Sequence, residues 1–245
     1  MNYLVIGASA GLGRALSKKL AAEKNNLILI ARDDRDLKAT ASDLIIQYNV
    51  KVETLSIDLS ATTDFLTELE QRVNISGGID GIFFPIGIVD SNDYIRHDTA
   101  LLNHINNVNY VSIVNIITKF WDSLIQRQHR TVIVGFGSVA SIRGRKNNVY
   151  YSAAKRSLLS FFESLRHAAS ETNVVVQFYI LGYLDTNLAF GKNTILPRTN
   201  VDVLANRILK NLYIDLGIVY YPRYWRVISM IIKVTPWTFF RRINF

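Results

Sequence analysis

Two kinds of hydrophobic pattern alternate along the chain. Short, largely apolar runs fall at residues 3–6, 27–31, 52–57, 82–84, 131–135, 174–181 and 217–221. Between them lie longer stretches in which apolar residues recur every three or four positions, at about 14–24, 34–48, 64–73, 99–127, 151–170 and 201–212. The first pattern predicts buried strands and the second predicts amphipathic helices. Strands that are apolar throughout and separated by helices imply a parallel sheet covered on both faces, with right-handed crossovers. The expected fold class is therefore α/β: a single domain over residues 1–221 with a doubly wound parallel sheet. No internal repeat or linker interrupts it. Residues 222–245 break the pattern and form a basic, aromatic C-terminal extension.

Composition narrows the chemistry. Apolar residues make up 49% of the chain, enough for a sizeable core. No cysteine is present, which excludes disulfides and thiolate metal sites and fits a reducing compartment. The four histidines, His97, His104, His129 and His167, form no HExxH-like pair, so no metal is expected. The N-terminus has no signal-peptide pattern, and no run reaches the roughly 20 apolar residues needed to span a bilayer. A cytoplasmic location is expected, with the extension at the inner face of a membrane as one option. The net charge is +8, and Arg223, Arg226, Lys233, Arg241 and Arg242 supply five cations in an extension without an acid. Outside that extension no basic patch is interleaved with aromatics, so nucleic acid is not an expected partner.

The stretch Gly7-Ala-Ser-Ala-Gly11-Leu-Gly13 follows the first strand and opens the first helix. Glycines there permit a tight turn and close backbone approach to a diphosphate, and the helix N-terminus offers free N–H groups. Gly7, Ser9, Gly11, Leu12 and Gly13 are the candidate contacts. Arg32 ends the second strand. A basic residue there suits a ribose 2′-phosphate, whereas an acid would favour the free hydroxyls. Asp33 and Asp34 follow directly and stand against that reading. Asp58, after the third strand, is placed to accept a hydrogen bond from an adenine amino group.

Tyr151 and Lys155 stand four apart at the start of a predicted helix and share one face. A tyrosine of ordinary pKa is a poor acid–base catalyst, and a nearby ammonium is expected to bring it toward the working range. Ser138, thirteen residues before Tyr151 and just past the fifth strand, can hydrogen-bond a substrate carbonyl. Asn109 can anchor a water that hands protons to Lys155. Tyr150 is the rival to Tyr151, but its spacing of five from Lys155 points it off the shared face, toward packing or substrate contact.

These motifs resemble the short-chain dehydrogenase/reductase family over nearly all of residues 1–221. The resemblance implies a Rossmann-like fold, an Asn109–Ser138–Tyr151–Lys155 tetrad and, from the Ala31-Arg32 ending, NADP(H) as cofactor. It adds Leu59, Gly87, Gly182 and Thr186 to the cofactor contacts, beside Tyr151 and Lys155 themselves. It also implies homo-oligomers built through the helix at Tyr151, whose Ser152, Ala153, Ala154, Ser157 and Ser160 are small. Three positions depart from the family pattern. Ile6 replaces a threonine that supports the glycine turn, Phe84-Pro-Ile-Gly87 replaces an Asn-Asn-Ala-Gly stretch that braces the central strands, and Leu181 replaces the proline before Gly182.

The expected activity is reduction of a carbonyl to an alcohol or the reverse, on a sugar-like or lipid-linked ketone. The alternative is a cofactor-binding regulator without turnover. Arg143, Arg145 and Lys146, between Ser138 and Tyr151, either bind an anionic substrate group or form a solvated turn. The stretch 186–200 is short for a substrate lid, which suggests an open site. The extension mixes Trp, Tyr, Phe and Ile with Arg and Lys, a composition suited to a membrane interface. Its alternative is packing on the body or on a second subunit. It is similar to the tails of family members that reduce sugars carried on lipid phosphates.

Overall fold

The strands at the centre of the sheet are buried on both sides, and those at its two edges only in part. In the computed structural model, which describes residues 1–60, 65–185 and 196–242, they are β1 (Asn2–Ile6), β2 (Asn26–Ala31), β3 (Val52–Ser56), β4 (Gly81–Phe84), β5 (Thr131–Ser138), β6 (Val174–Leu181) and β7 (Ile218–Tyr221). All pair in parallel, in the order β3-β2-β1-β4-β5-β6-β7. Successive residues feed opposite cores. Leu4, Ile6, Ile28, Ile30, Ile82 and Phe84 pack on one side, while Tyr3, Val5, Leu27, Leu29 and Phe83 pack on the other. That double burial is why the strands read as apolar runs and not as alternating ones.

Helices α1 (Gly11–Ala22), α2 (Asp34–Tyr48) and α7 (Val201–Lys210) contribute to the second core. Helices α3 (Phe65–Ile75), α5 (Ser112–Ile125) and α6 (Val149–Ala169) contribute to the first, and α4 (Thr99–Asn106) buries Ile105. Local chemistry sets several boundaries. The Asp33 carboxylate caps α2 by accepting from Asp36 N at 2.9 Å, and Asn49 closes it in the left-handed region at φ 50°. Asp98 and Asn200 cap α4 and α7 in the same way.

Two expectations need correction. The helix expected over residues 99–127 is interrupted by a π-helical turn, Asn107–Val111, between α4 and α5. The buried positions Ile105, Val108, Asn109, Ser112 and Ile113 keep ordinary helical spacing through this turn, so periodicity does not reveal it. β5 also runs on to Ser138, so that serine is the last residue of the strand and not beyond it. Gly135 and Gly137 hide the continuation in the sequence, but they leave room for the rings of Phe162 and Phe178. The chain order reverses direction between β1 and β4, and ligands bind at such a switch point outside the carboxyl ends of the strands.

Candidate active site

The glycine turn sits at this switch point. Gly7 N and Ala8 N both donate to Ile30 O, at 2.7 and 3.0 Å, which ties the turn to β2 without the family's threonine. Ile6 is fully buried in the core instead. Gly7 adopts φ 95°, and a Cβ at Gly13 would stand 1.9 Å from Gly7 O. Side chains are thereby excluded where the helix meets the turn. Ala10 caps α1 with no side-chain hydrogen bond, so the first N–H groups of the helix are not capped by their own chain. Leu12 is buried beneath the turn, and the Ser9 carbonyl accepts from the Arg14 side chain. Arg14, which also lies 3.8 Å from Asp36, escaped sequence reasoning because it falls outside the glycine pattern.

The acids that follow Arg32 are engaged elsewhere. Asp33 caps α2 and Asp34 pairs with Lys38 at 2.7 Å, while Arg32 stays exposed at the end of β2. Asp58 accepts from the N–H and hydroxyl of Ser60, at 2.9 and 2.7 Å. Those two bonds hold its carboxyl below the usual range, with a smaller contribution from Arg32. Leu59 is buried beside it.

At the ends of β4 and β5 the site is held by amide and ammonium groups. Asn109, wholly buried in the π turn, accepts from Ile88 N at 3.2 Å and donates to Ile88 O at 3.0 Å and Ile105 O at 2.9 Å. Lys155, also buried, donates to Ile86 O at 3.1 Å and Phe136 O at 3.2 Å. Gly87 lies between them, since a Cβ there would stand 3.1 Å from Asn109 Oδ1 and 3.3 Å from Lys155 Nζ. The bracing that Phe84-Pro-Ile-Gly87 lacks in its own side chains thus comes from Asn109 and Lys155.

Tyr151 is partly buried on α6, one turn before Lys155. Burial pushes its phenol above the ordinary value of 10, against the downward pull of a Ser138 hydrogen bond and of Arg145. Sequence reasoning expected the Lys155 ammonium to lower it. Instead burial alone lowers Lys155 to about 7, and the cation that acts on Tyr151 comes from the loop before α6. Ser138 Oγ also accepts from Ala140 N at 3.1 Å.

Asp93 is the group sequence reasoning missed. It is buried in the loop after β4, and its carboxylate accepts from Tyr150 N at 2.7 Å and Tyr151 N at 2.9 Å. Its carbonyl accepts from Asn148 N at 2.7 Å. Asp93 therefore caps the helix that carries Tyr151 and Lys155, and its charge lies at the positive end of the helix dipole. Tyr150 turns away and donates to Arg96 O at 2.5 Å, so it braces the same loop.

Neither reading of the basic loop holds for Arg143. Its guanidinium donates to Ile232 O at 2.9 Å and to Thr235 O, and lies 4.0 Å from the centre of the Phe240 ring. It fastens the end of helix α8 (Tyr224–Val234) and the short helix α9 (Trp237–Phe240) to the body. Trp225 of α8 occupies the space beside Gly182, where a Cβ would meet its Nε1 at 1.8 Å. Thr186 lies outside the described residues.

A glycine turn at the switch point of a parallel sheet, with a tyrosine and a lysine one helical turn apart on α6, is the layout of an oxidoreductase built on a dinucleotide-binding sheet. The chain belongs to the short-chain dehydrogenase family, whose model matches residues 2–194. Among curated proteins it is 26% identical over 185 residues to the 3-oxoacyl-[acyl-carrier-protein] reductase FabG of Aquifex aeolicus, covering 76% of this chain and 74% of that one. It is 27% identical over 187 residues to carbonyl reductase family member 4 of Xenopus tropicalis, covering 76% and 77%. The fold is similar to that of a short-chain dehydrogenase from Sphingobium yanoikuyae solved with NADPH, at TM-score 0.82 and 22% identity over 99% of this chain and 96% of that one. A bulky-bulky ketone specific alcohol dehydrogenase from Comamonas testosteroni matches at TM-score 0.80 and 20% identity, covering 99% and 94%.

Proposed function

We propose that the protein is an NADP(H)-dependent carbonyl reductase with Tyr151 as its proton donor. The observation that carries this reading is the pairing of a protonated, partly buried Tyr151 with Ser138, one helical turn from a buried Lys155. The site fits a dinucleotide on its own features, namely side chains excluded at Gly7 and Gly13, uncapped N–H groups at α1, and Arg32 left exposed by the engagement of Asp33 and Asp34. Gly7, Ser9, Gly11, Leu12 and Gly13 would hold the diphosphate, Arg32 the 2′-phosphate, and Asp58 and Leu59 the adenine. Gly87, Gly182, Thr186, Tyr151 and Lys155 would surround the nicotinamide half.

When bound, NADPH supplies a hydride to the carbonyl carbon. Ser138 orients the carbonyl oxygen by hydrogen bonding, and Tyr151 delivers the proton that completes the alcohol. Lys155, lowered to about 7, exchanges protons near neutrality and can resupply Tyr151 through a water anchored by Asn109. The reverse direction uses Tyr151 as base. The substrate class is a ketone, sugar-like or lipid-linked. Support comes from the ketoreductases among the relatives and from the short stretch over residues 186–200. A homo-oligomer through α6 accords with Ala153, Ser157 and Ser160, which are exposed on that helix, whereas Ser152 and Ala154 are buried within the chain.

The test is NADPH oxidation by the purified protein against a panel of aldehydes and ketones. Turnover with at least one carbonyl is expected. Tight NADPH binding without turnover across the panel would favour a regulator.

A further inference from the structure

Helix α8 carries apolar side chains on both of its sides. Trp225 and Ser229 face inward and are buried. Val227, Met230, Ile231 and Val234 recur at helical spacing on the opposite side and are 55–72% exposed. Trp237 and Phe239, just beyond, are each 64% exposed. This strip is not a frayed end, because Arg143 and the buried Phe240 fix the far end of the segment to the body. An ordered, contiguous apolar strip on a protein surface marks an interaction site.

Charge decides what covers it. Arg223 stands at the head of the strip, Arg226 and Lys233 run along one border, and Arg241 and Arg242 follow; residues 222–245 contain no acid. A second copy packed on this face would bring the same five cations against the first five with nothing to offset them. A bilayer with anionic headgroups supplies hydrocarbon for the strip and phosphate for its border. Beside β7, Arg207, Arg223 and Arg226 line a cleft of about 450 Å³ with no carboxylate in its lining among the described residues. Guanidinium groups match phosphate oxygens in a bidentate fork. No helix among the described residues is long and apolar enough to cross a membrane.

We infer that the outward face of α8, continued by α9, docks the protein on an anionic phospholipid bilayer, with headgroup phosphate seated against Arg207, Arg223 and Arg226. The surface is mounted on the site itself. Trp225 packs at Gly182 after β6, and Arg143 belongs to the loop that follows Ser138 at the end of β5. An amphiphilic carbonyl compound in the same bilayer would therefore lie close to the mouth of the site. That corollary rests on the catalytic reading above, and the docking does not.

Flotation of the full-length protein with vesicles of phosphatidylglycerol and phosphatidylcholine, compared with phosphatidylcholine alone, tests the docking. The protein should rise with the anionic vesicles, stay down with the neutral ones and be released by high salt. Met230→Glu with Val234→Glu should abolish flotation. Arg223→Gln with Arg226→Gln should weaken partitioning by about thirtyfold. All four side chains are exposed, so unchanged melting and unchanged NADPH binding should accompany both losses. A wild-type protein that does not rise with anionic vesicles overturns the inference, as does a glutamate variant that rises equally well. Failure to float together with a wild-type dimer that the glutamate pair dissociates would assign the face to a second copy and overturn it too.

Discussion

The carboxylate of Asp93 accepts the backbone N–H of Tyr151 at 2.9 Å, although the two are 58 residues apart. The catalytic helix is thus capped from another part of the chain. Asp93→Ala removes both side-chain bonds to the first turn of α6 and leaves two N–H groups without their partner. A loss of about 2 kcal/mol is expected, read as a fall in melting temperature of about 4–8 °C. Asp93→Asn keeps one good acceptor and should fall between. In both variants kcat should drop more than KM rises, because Tyr151 is carried on the turn that loosens. Wild-type melting in Asp93→Ala would show that the cap is not a structural support.

Tyr151→Phe should lower turnover by at least about 10²-fold, the usual contribution of a lost acid–base group. NADPH affinity, measured by fluorescence titration, should stay within a few-fold of wild type. Near-normal turnover with any substrate would remove Tyr151 from the proton-transfer role.

Burial depresses Lys155 to about 7 from its ordinary value of 10.5. Between those values the unfolded chain holds a proton that the folded chain lacks, so this group's contribution to stability rises with pH across that window and is least favourable below it. Lys155→Met should flatten that rise in a series of denaturant melts from about pH 7 to pH 10, within the window set by the two values. The same variant should be nearly inactive. A stability difference between variant and wild type that does not change with pH would mean that Lys155 stays charged in the folded protein.

Tyr151 titrates above 10, so carbonyl reduction should not lose its proton donor as pH rises from neutral toward that value. Alcohol oxidation needs the phenolate and should accelerate over the same range. Initial rates in both directions check this, and oxidation that is flat with pH would count against Tyr151 as the base.

Arg32→Ala should remove most of the preference for NADPH over NADH. One charge-assisted contact of roughly 1.5–3 kcal/mol corresponds to about ten- to hundredfold in affinity. Equal binding of the two cofactors by the wild type would leave Arg32 as a surface residue.

Much of this protein could be read from its sequence because the signals are local. A run such as Leu27–Ala31 declares a strand buried on both sides, and the spacing of Gly7, Gly11 and Gly13 declares a turn that needs open backbone. Tyr151 and Lys155 share a helix face by arithmetic. The groups that finish the site act across long separations, where no spacing rule applies. Asp93 reaches α6 because the loop after β4 passes over its N-terminus. The π turn at Asn109 is a local change in hydrogen bonding that leaves the hydrophobic pattern intact. From sequence Arg143 reads as either a site cation or part of a solvated turn; it is instead the fastening of α8, since its direction depends on where that helix packs. The raised Tyr151 and lowered Lys155 follow from burial, which exists only once the sheet and helices have closed around them. Periodicity and motif spacing determine which elements form and what chemistry they can carry. Packing decides which groups lose water and which distant side chains meet, and those two effects set protonation and position at the site.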